Sequence, residues 1–200
     1  MWRIWWILCE DFDEFYFLGD YFDNYEETPA VSQIRNFLEI VRWARSDSRV
    51  KLCLGNHDFH YLQGIETWEK YSGFQNYNYI DIQEALENSM DMIKIVYVTD
   101  DNIIISHAGV TKTFLSDCKL NHPLEINNKF ISYRMSLMFV GYNCYGDDPK
   151  NGPLWVRPKS LLLDKVNGYK QIVGHTHQEK INTESDVTFI DVESKDVYRF

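Results

Sequence analysis

Four short strings in this chain carry side chains that bind cations or move protons. They are Gly19-Asp20-Tyr21-Phe22-Asp23, Gly55-Asn56-His57-Asp58, His107-Ala108-Gly109 and Gly174-His175-Thr176-His177. Together they offer carboxylate and amide oxygens and imidazole nitrogens, with no thiolate among them. Hard oxygen donors mixed with imidazole suit manganese, iron, zinc or nickel, and the lack of cysteine argues against a structural zinc site. Taken singly, each string has an ordinary explanation. Gly-Asp and Gly-Asn favour turns, and an isolated histidine is more often packed or solvated than ligating. His60 and His122 belong to no such string and are read as core or surface histidines.

What sets the four strings apart is the element before each of them. Apolar runs occupy residues 14–18, 50–54, 102–106 and 170–173. Both alternating faces of these runs are largely apolar, which predicts strands covered on both sides of a sheet. Between the runs, spacing predicts helices over 31–45, 82–93, 113–120 and 126–139. Val31, Ile34, Leu38 and Val41 recur at helical intervals, and Thr28-Pro29 is a start signal. Trp2, Trp5, Trp6 and Cys9 show the same spacing and predict a helix at the beginning of the chain. Residues 141–158 read as a long loop, and 187–192 with 196–200 as a terminal hairpin. Strands alternating with helices imply an α/β layered domain. Ligands in open α/β sheets collect at the carboxyl ends of the strands, so Asp20, Asn56, His107, His175 and His177 are expected on one rim.

The bulk properties narrow the function classes. Residues 1–200 read as one domain, long enough to bury a substantial core. A formal charge of −10 argues against nucleic-acid binding through a basic face. It leaves a phosphorylated substrate open, because metal ions reverse the local field of an acidic site. Cys9, Cys53, Cys118 and Cys144 are scattered without a CxxC pair, which implies reduced thiols and a cytoplasmic setting. The apolar start is too short to cross a bilayer and lacks a cleavage site, so no membrane partner is expected.

In this order, each string behind an apolar strand, the four resemble the signature of the calcineurin-like metallophosphoesterase superfamily. The form is nearest to its serine/threonine-phosphatase and bis(nucleosyl)tetraphosphatase branch, and the resemblance runs from residue 17 to 177. It implies a four-layer α/β/β/α sandwich of two mixed sheets. It further implies hydrolysis of phosphate mono- or diesters by a metal-activated water, with no covalent intermediate. Two divalent metals, manganese foremost, would lie about 3.5–4 Å apart. By the same resemblance Asp20 is the bridging carboxylate, Asn56, His107 and His175 complete one site, and His177 ligates the other metal. His57 would stand beside the leaving group, where a general acid contributes about two to four decades in rate. Asp23 would fix that histidine's tautomer and ring direction, and Asp58 is read as a supporting residue. Phosphoprotein, dinucleoside polyphosphate and small phosphate esters are the implied substrates.

The chain departs from the pattern in two places. The family opens with an Asp-x-His at the end of a first strand, and no such pair precedes Asp20. Asp11 and Asp13 stand before a strand rather than after one. The expectation is a domain N-terminally truncated relative to the family and lacking its first strand, with one metal site nearly complete. A truncated or degenerate relative that binds one metal or none, with little activity, is the alternative. The second departure is Asn24, which stands where the protein-phosphatase branch has an arginine gripping phosphate. Arg157 resembles a loop arginine of bacterial and phage relatives, which implies a bidentate grip on substrate. An exposed or salt-bridged arginine is the other reading.

Overall fold

In the computed structural model, which describes residues 12–23, 29–63, 73–134, 147–192 and 198–200, all four apolar runs are strands. β1 (Phe15–Phe17), β2 (Val50–Cys53) and β3 (Ile93–Lys94) make a parallel sheet in that order. A second sheet contains β4 (Val96–Val98), β5 (Ile103–Ser106), β6 (Lys170–Val173), β7 (Asn182–Glu184) and β8 (Val187–Phe189). Its order is β4-β5-β6-β8-β7, a parallel centre of β5, β6 and β8 with an antiparallel strand on each flank.

The helices are α1 (Ala30–Ser46), α2 (Asn56–Phe59), α3 (Tyr79–Glu87), α4 (Lys112–Asp117), α5 (Glu125–Ser132) and α6 (Pro158–Asp164). Ala30, Gln33, Phe37, Val41 and Ala44 recur every three or four residues of α1 and form its buried stripe. Phe37, Val41 and Ala44 of that stripe join Leu52, Leu54, Ile82 and Leu86 in the main core, where each fully buried large apolar side chain contributes about 1.5–3 kcal/mol. Pro158 opens α6 at a position whose amide has no helical partner. Leu161 of α6 packs with Ala108, Val156, Val173, Val187 and Phe189 in a smaller cluster on the second sheet. Two sheets with helices against each give the α/β/β/α arrangement the sequence predicts.

Three expectations change. The helix expected over 82–93 runs from Tyr79 to Glu87, and Ile93 pairs with Leu52 instead. Ile93, Ile95 and Val96 are buried, and the Asn127 side chain accepts from the Ile95 and Val96 amides at 2.9 and 3.2 Å. Strands of two and three residues are too short to show a period of their own. The terminal hairpin is β7–β8, with Ser185 and Asp186 at φ +48° and +68° in a two-residue turn. Such turns usually announce themselves with glycine or asparagine, and Ser-Asp does not. The helix expected over 126–139 is α5 in its described part, ending at Ser132. The helix expected at Trp2, Trp5, Trp6 and Cys9, and Cys144, lie outside the described residues. Among those residues β1 is the edge of its sheet, and a cavity of about 220 Å³ beside it is lined by Phe15, Phe17, Trp43, Ile105, Ile172 and Phe200.

Two peripheral features bear on behaviour. Glu87 accepts both terminal nitrogens of Arg134 at 2.5 and 2.9 Å, and the Gln63 backbone amide at 2.7 Å. Burial opposes ionisation of Glu87, but these donors outweigh it and hold the carboxyl below its usual range. His60 is buried beside the rings of Trp155 and Phe74, and burial, aided by the charge of His57, pushes it down to about 3. The unfolded ring takes a proton below about pH 6.5 while the folded ring does not. Stability is therefore full above that pH and falls as pH drops from 6.5 toward 3, by up to about 1.4 kcal/mol per pH unit. Urea unfolding at a series of pH values should show this slope in wild type and a shallower one in His60→Phe. Equal slopes would contradict the assignment. No helix of the described residues is long and apolar enough to cross a membrane.

Candidate metal centre

The carboxyl ends of β1, β2, β5 and β6 deliver Asp20, Asn56, His107 and His175 to one place. Backbone contact between the β1 and β2 loops brings the first two together. A β-carbon on Gly19 (φ +93°) would lie 2.2 Å from the Gly55 amide nitrogen, and one on Gly55 would lie 2.2 Å from that of Asp20. Only glycine at both positions permits this approach. Asp58, fully buried, ties the joint: Oδ2 accepts the Asp20 and Gly55 amides at 2.8 and 2.9 Å, and Oδ1 accepts that of Tyr21 at 2.8 Å. Burial and the charge of Asp20 push the Asp58 carboxyl up to about 7 against the pull of these amides. Between the sheets, His107 Nδ1 donates to the Leu18 carbonyl at 2.7 Å and the Gly174 amide donates to the His107 carbonyl at 2.8 Å. Asp20, Asp23 and His175 all stand in the left-handed region, at φ +57°, +62° and +63°. Such backbone costs about 1–3 kcal/mol per residue and persists where the surroundings impose it.

The donor set fits a divalent cation. Leu18 offers only an acceptor, so His107 carries its proton on Nδ1 and a neutral ring turns the Nε2 lone pair inward. That Nε2 lies 2.8 Å from Asn56 Oδ1 and 3.1 Å from His175 Nδ1, while Asn56 Oδ1 lies 3.0 Å from His175 Nδ1. Asp20 Oδ2 is 3.5 Å from His107 Nε2. One ligand atom from each of Asp20, His107 and His175 lies within 4.8 Å of the others. An amide oxygen and two ring nitrogens gathered this closely beside a carboxylate are the mixed oxygen and imidazole donors that a divalent cation takes. Burial above all, aided by the nearby Arg157 guanidinium, holds His175 well below the usual histidine range, in the neutral form that ligates metals.

His57 flanks this group. Its backbone amide donates to Asp20 Oδ1 at 3.0 Å, and its Nδ1 lies 3.3 Å from Oδ2 of the buried Asp23. Burial works against the charged ring, but Asp23 and the charges of Asp20 and Asp58 outweigh it and raise His57 above the usual range. Arg157 donates to Thr176 Oγ1 at 3.2 Å, beside His175. His177 is exposed and is not part of the Asp20–His107–His175 group. Asn24 lies outside the described residues.

The sequence profile of calcineurin-like phosphoesterases matches residues 2–179. The chain belongs to the calcineurin-like phosphoesterase family. Metal-dependent hydrolysis of phosphate esters is the reaction of that family. The fold of this family member is similar to that of the cold-active protein-tyrosine phosphatase of a psychrophilic Shewanella species. The two are 17% identical with a TM-score of 0.58, over 88% of this chain and 59% of the other. A cold-active protein tyrosine phosphatase solved at 1.1 Å gives 19% identity and a TM-score of 0.59, over 88% and 58%. The chain thus spans less than two thirds of those proteins, and at such identities the likeness concerns the fold. No curated protein matches the sequence.

Two described participants in the candidate site of this family member carry no sequence signal. Leu18 acts through its carbonyl, which is blind to residue type. Tyr61 donates its hydroxyl to Asp23 Oδ1 from a position four residues past His57, in no motif.

Proposed function

We propose that this chain hydrolyses phosphate mono- or diesters at a divalent-metal centre held by Asp20, Asn56, His107 and His175, with His57 assisting the leaving group. The convergence of Asn56 Oδ1, His107 Nε2 and His175 Nδ1 within 2.8–3.1 Å of one another carries the reading. Bound there, a divalent cation, manganese foremost, supplies Lewis acidity toward the phosphoryl group and makes water a nucleophile at neutral pH. The protein's own residues do the rest. Asp20 would serve this ion and, with His177, a second one. Asp23 favours the protonated form of His57 and holds one ring nitrogen, so that the other is assigned to the departing oxygen. Arg157, close to His175, supplies a cation for the substrate phosphate, and Asn24 is assigned to the same substrate side.

The substrate class is a phosphoprotein, a dinucleoside polyphosphate or a small phosphate ester; the structural neighbours named protein tyrosine phosphatases favour the first. The setting is cytoplasmic and reducing, in keeping with the free thiols Cys53 and Cys118. One observation favours a weaker relative with one ion or none: His177 is exposed and apart from the group.

Protein purified with manganese should contain metal by elemental analysis and hydrolyse p-nitrophenyl phosphate until a chelator is added. His57→Asn should keep the metal and lose about a hundredfold in turnover. Wild-type protein with neither metal nor turnover would sink the proposal in favour of the inactive relative.

A further inference from the structure

Behind His57 a line of hydrogen bonds leads away from the centre and into the core. Asp23 Oδ2 faces His57 Nδ1 at 3.3 Å, and the other oxygen of that carboxylate accepts the Tyr61 hydroxyl. The hydroxyl in turn accepts the Gln75 backbone amide at 2.8 Å. Asp23 and Tyr61 are both buried. Tyr61 is held at its ring and at its backbone: the ring stacks on Phe74 at 4.6 Å with the planes 7° apart, and the carbonyl accepts Gln83 Nε2 at 2.8 Å. Gly73 closes over Asp23, where a β-carbon would lie 3.0 Å from the Asp23 carbonyl oxygen.

A phenylalanine would fill the same volume, so packing alone does not account for the hydroxyl. What the hydroxyl adds is a partner for a buried carboxylate oxygen that His57 cannot reach. An ionised group left half-satisfied in the core is costly and free to turn. We infer that Tyr61 is a positioning residue for His57, holding the carboxylate plane of Asp23 and thereby the direction in which His57 presents its second nitrogen. This rests on the reading of His57 as the group that assists departure.

The test compares two esters in wild type, Tyr61→Phe, Asp23→Asn and the double variant, with manganese present. Phenolate needs a proton to leave and p-nitrophenolate scarcely does. Tyr61→Phe should lose about tenfold on phenyl phosphate, at least fivefold more than on p-nitrophenyl phosphate. In the Asp23→Asn background it should lose nothing further, since the two act through one path. Equal losses on both esters, or additive losses in the double variant, would overturn the inference. A second arm needs neither metal nor turnover. The long-range proton–nitrogen spectrum of the His57 ring in metal-free protein should change in Tyr61→Phe and with 3,5-difluorotyrosine at position 61, which keeps the fold while altering the donor. A ring signature unmoved by both replacements defeats the proposal. If wild type hydrolyses neither ester, the phosphoesterase reading falls, and the spectra still decide the role of Tyr61.

Discussion

Asp20→Asn should abolish metal-stimulated hydrolysis, with a loss of about a thousandfold or more, equivalent to about 4 kcal/mol of activation free energy. The substitution is a clean one. Asp20 Oδ1 accepts the His57 backbone amide at 3.0 Å, and asparagine keeps an oxygen for that bond. What disappears is the negative charge on the oxygen 3.5 Å from His107 Nε2. The remaining donors, an amide and two neutral imidazoles, have no charge with which to hold a hard dication. Manganese titration by calorimetry and rates on p-nitrophenyl phosphate should fall together, while the unfolding midpoint of the metal-free protein stays within a few degrees of wild type. Unchanged manganese affinity in Asp20→Asn would remove Asp20 from the centre.

The larger stability effect lies at Asp58. Asp58→Ala leaves three amides, those of Asp20, Tyr21 and Gly55, without their acceptor at a buried joint. Each unsatisfied donor costs about 1–3 kcal/mol, and partial relaxation brings the expected total to about 4 kcal/mol. Asp58→Asn keeps the volume but turns one acceptor into a donor that faces amide hydrogens, so it should cost nearly as much. Urea unfolding of the metal-free variants measures both. A loss below 1 kcal/mol in each would show that the joint is held by the Gly19–Gly55 contact alone.

The sequence made the rim legible because the information there is local. Asp20, Asn56, His107 and His175 each come one to three residues after a strand, so the side chain following the strand has nowhere to go but the edge. The same logic places Asp23 and His57 near it. It says less about His177, because His175 at φ +63° bends the chain and spacing no longer decides which side the next residues face. Tyr61 was out of reach for another reason. Its partners lie 38 residues before it and 14 after it, and contacts over such separations leave no period in the sequence. The short β3 and β4 were hidden for want of length.

The carboxylate of Glu87 has a bearing on how such a protein can diverge. It fastens Gln63, where one connecting segment leaves, and Arg134, where another does. The first segment returns at Gly73 beside Asp23 and is tied again at Gln75. Between fixed stakes, doubling the length of a segment adds only about 0.6 kcal/mol of closure entropy. Insertions and deletions in these stretches therefore leave the histidine and its carboxylate where they stand. Chain length can thus vary between these anchors at little cost to the rim they frame.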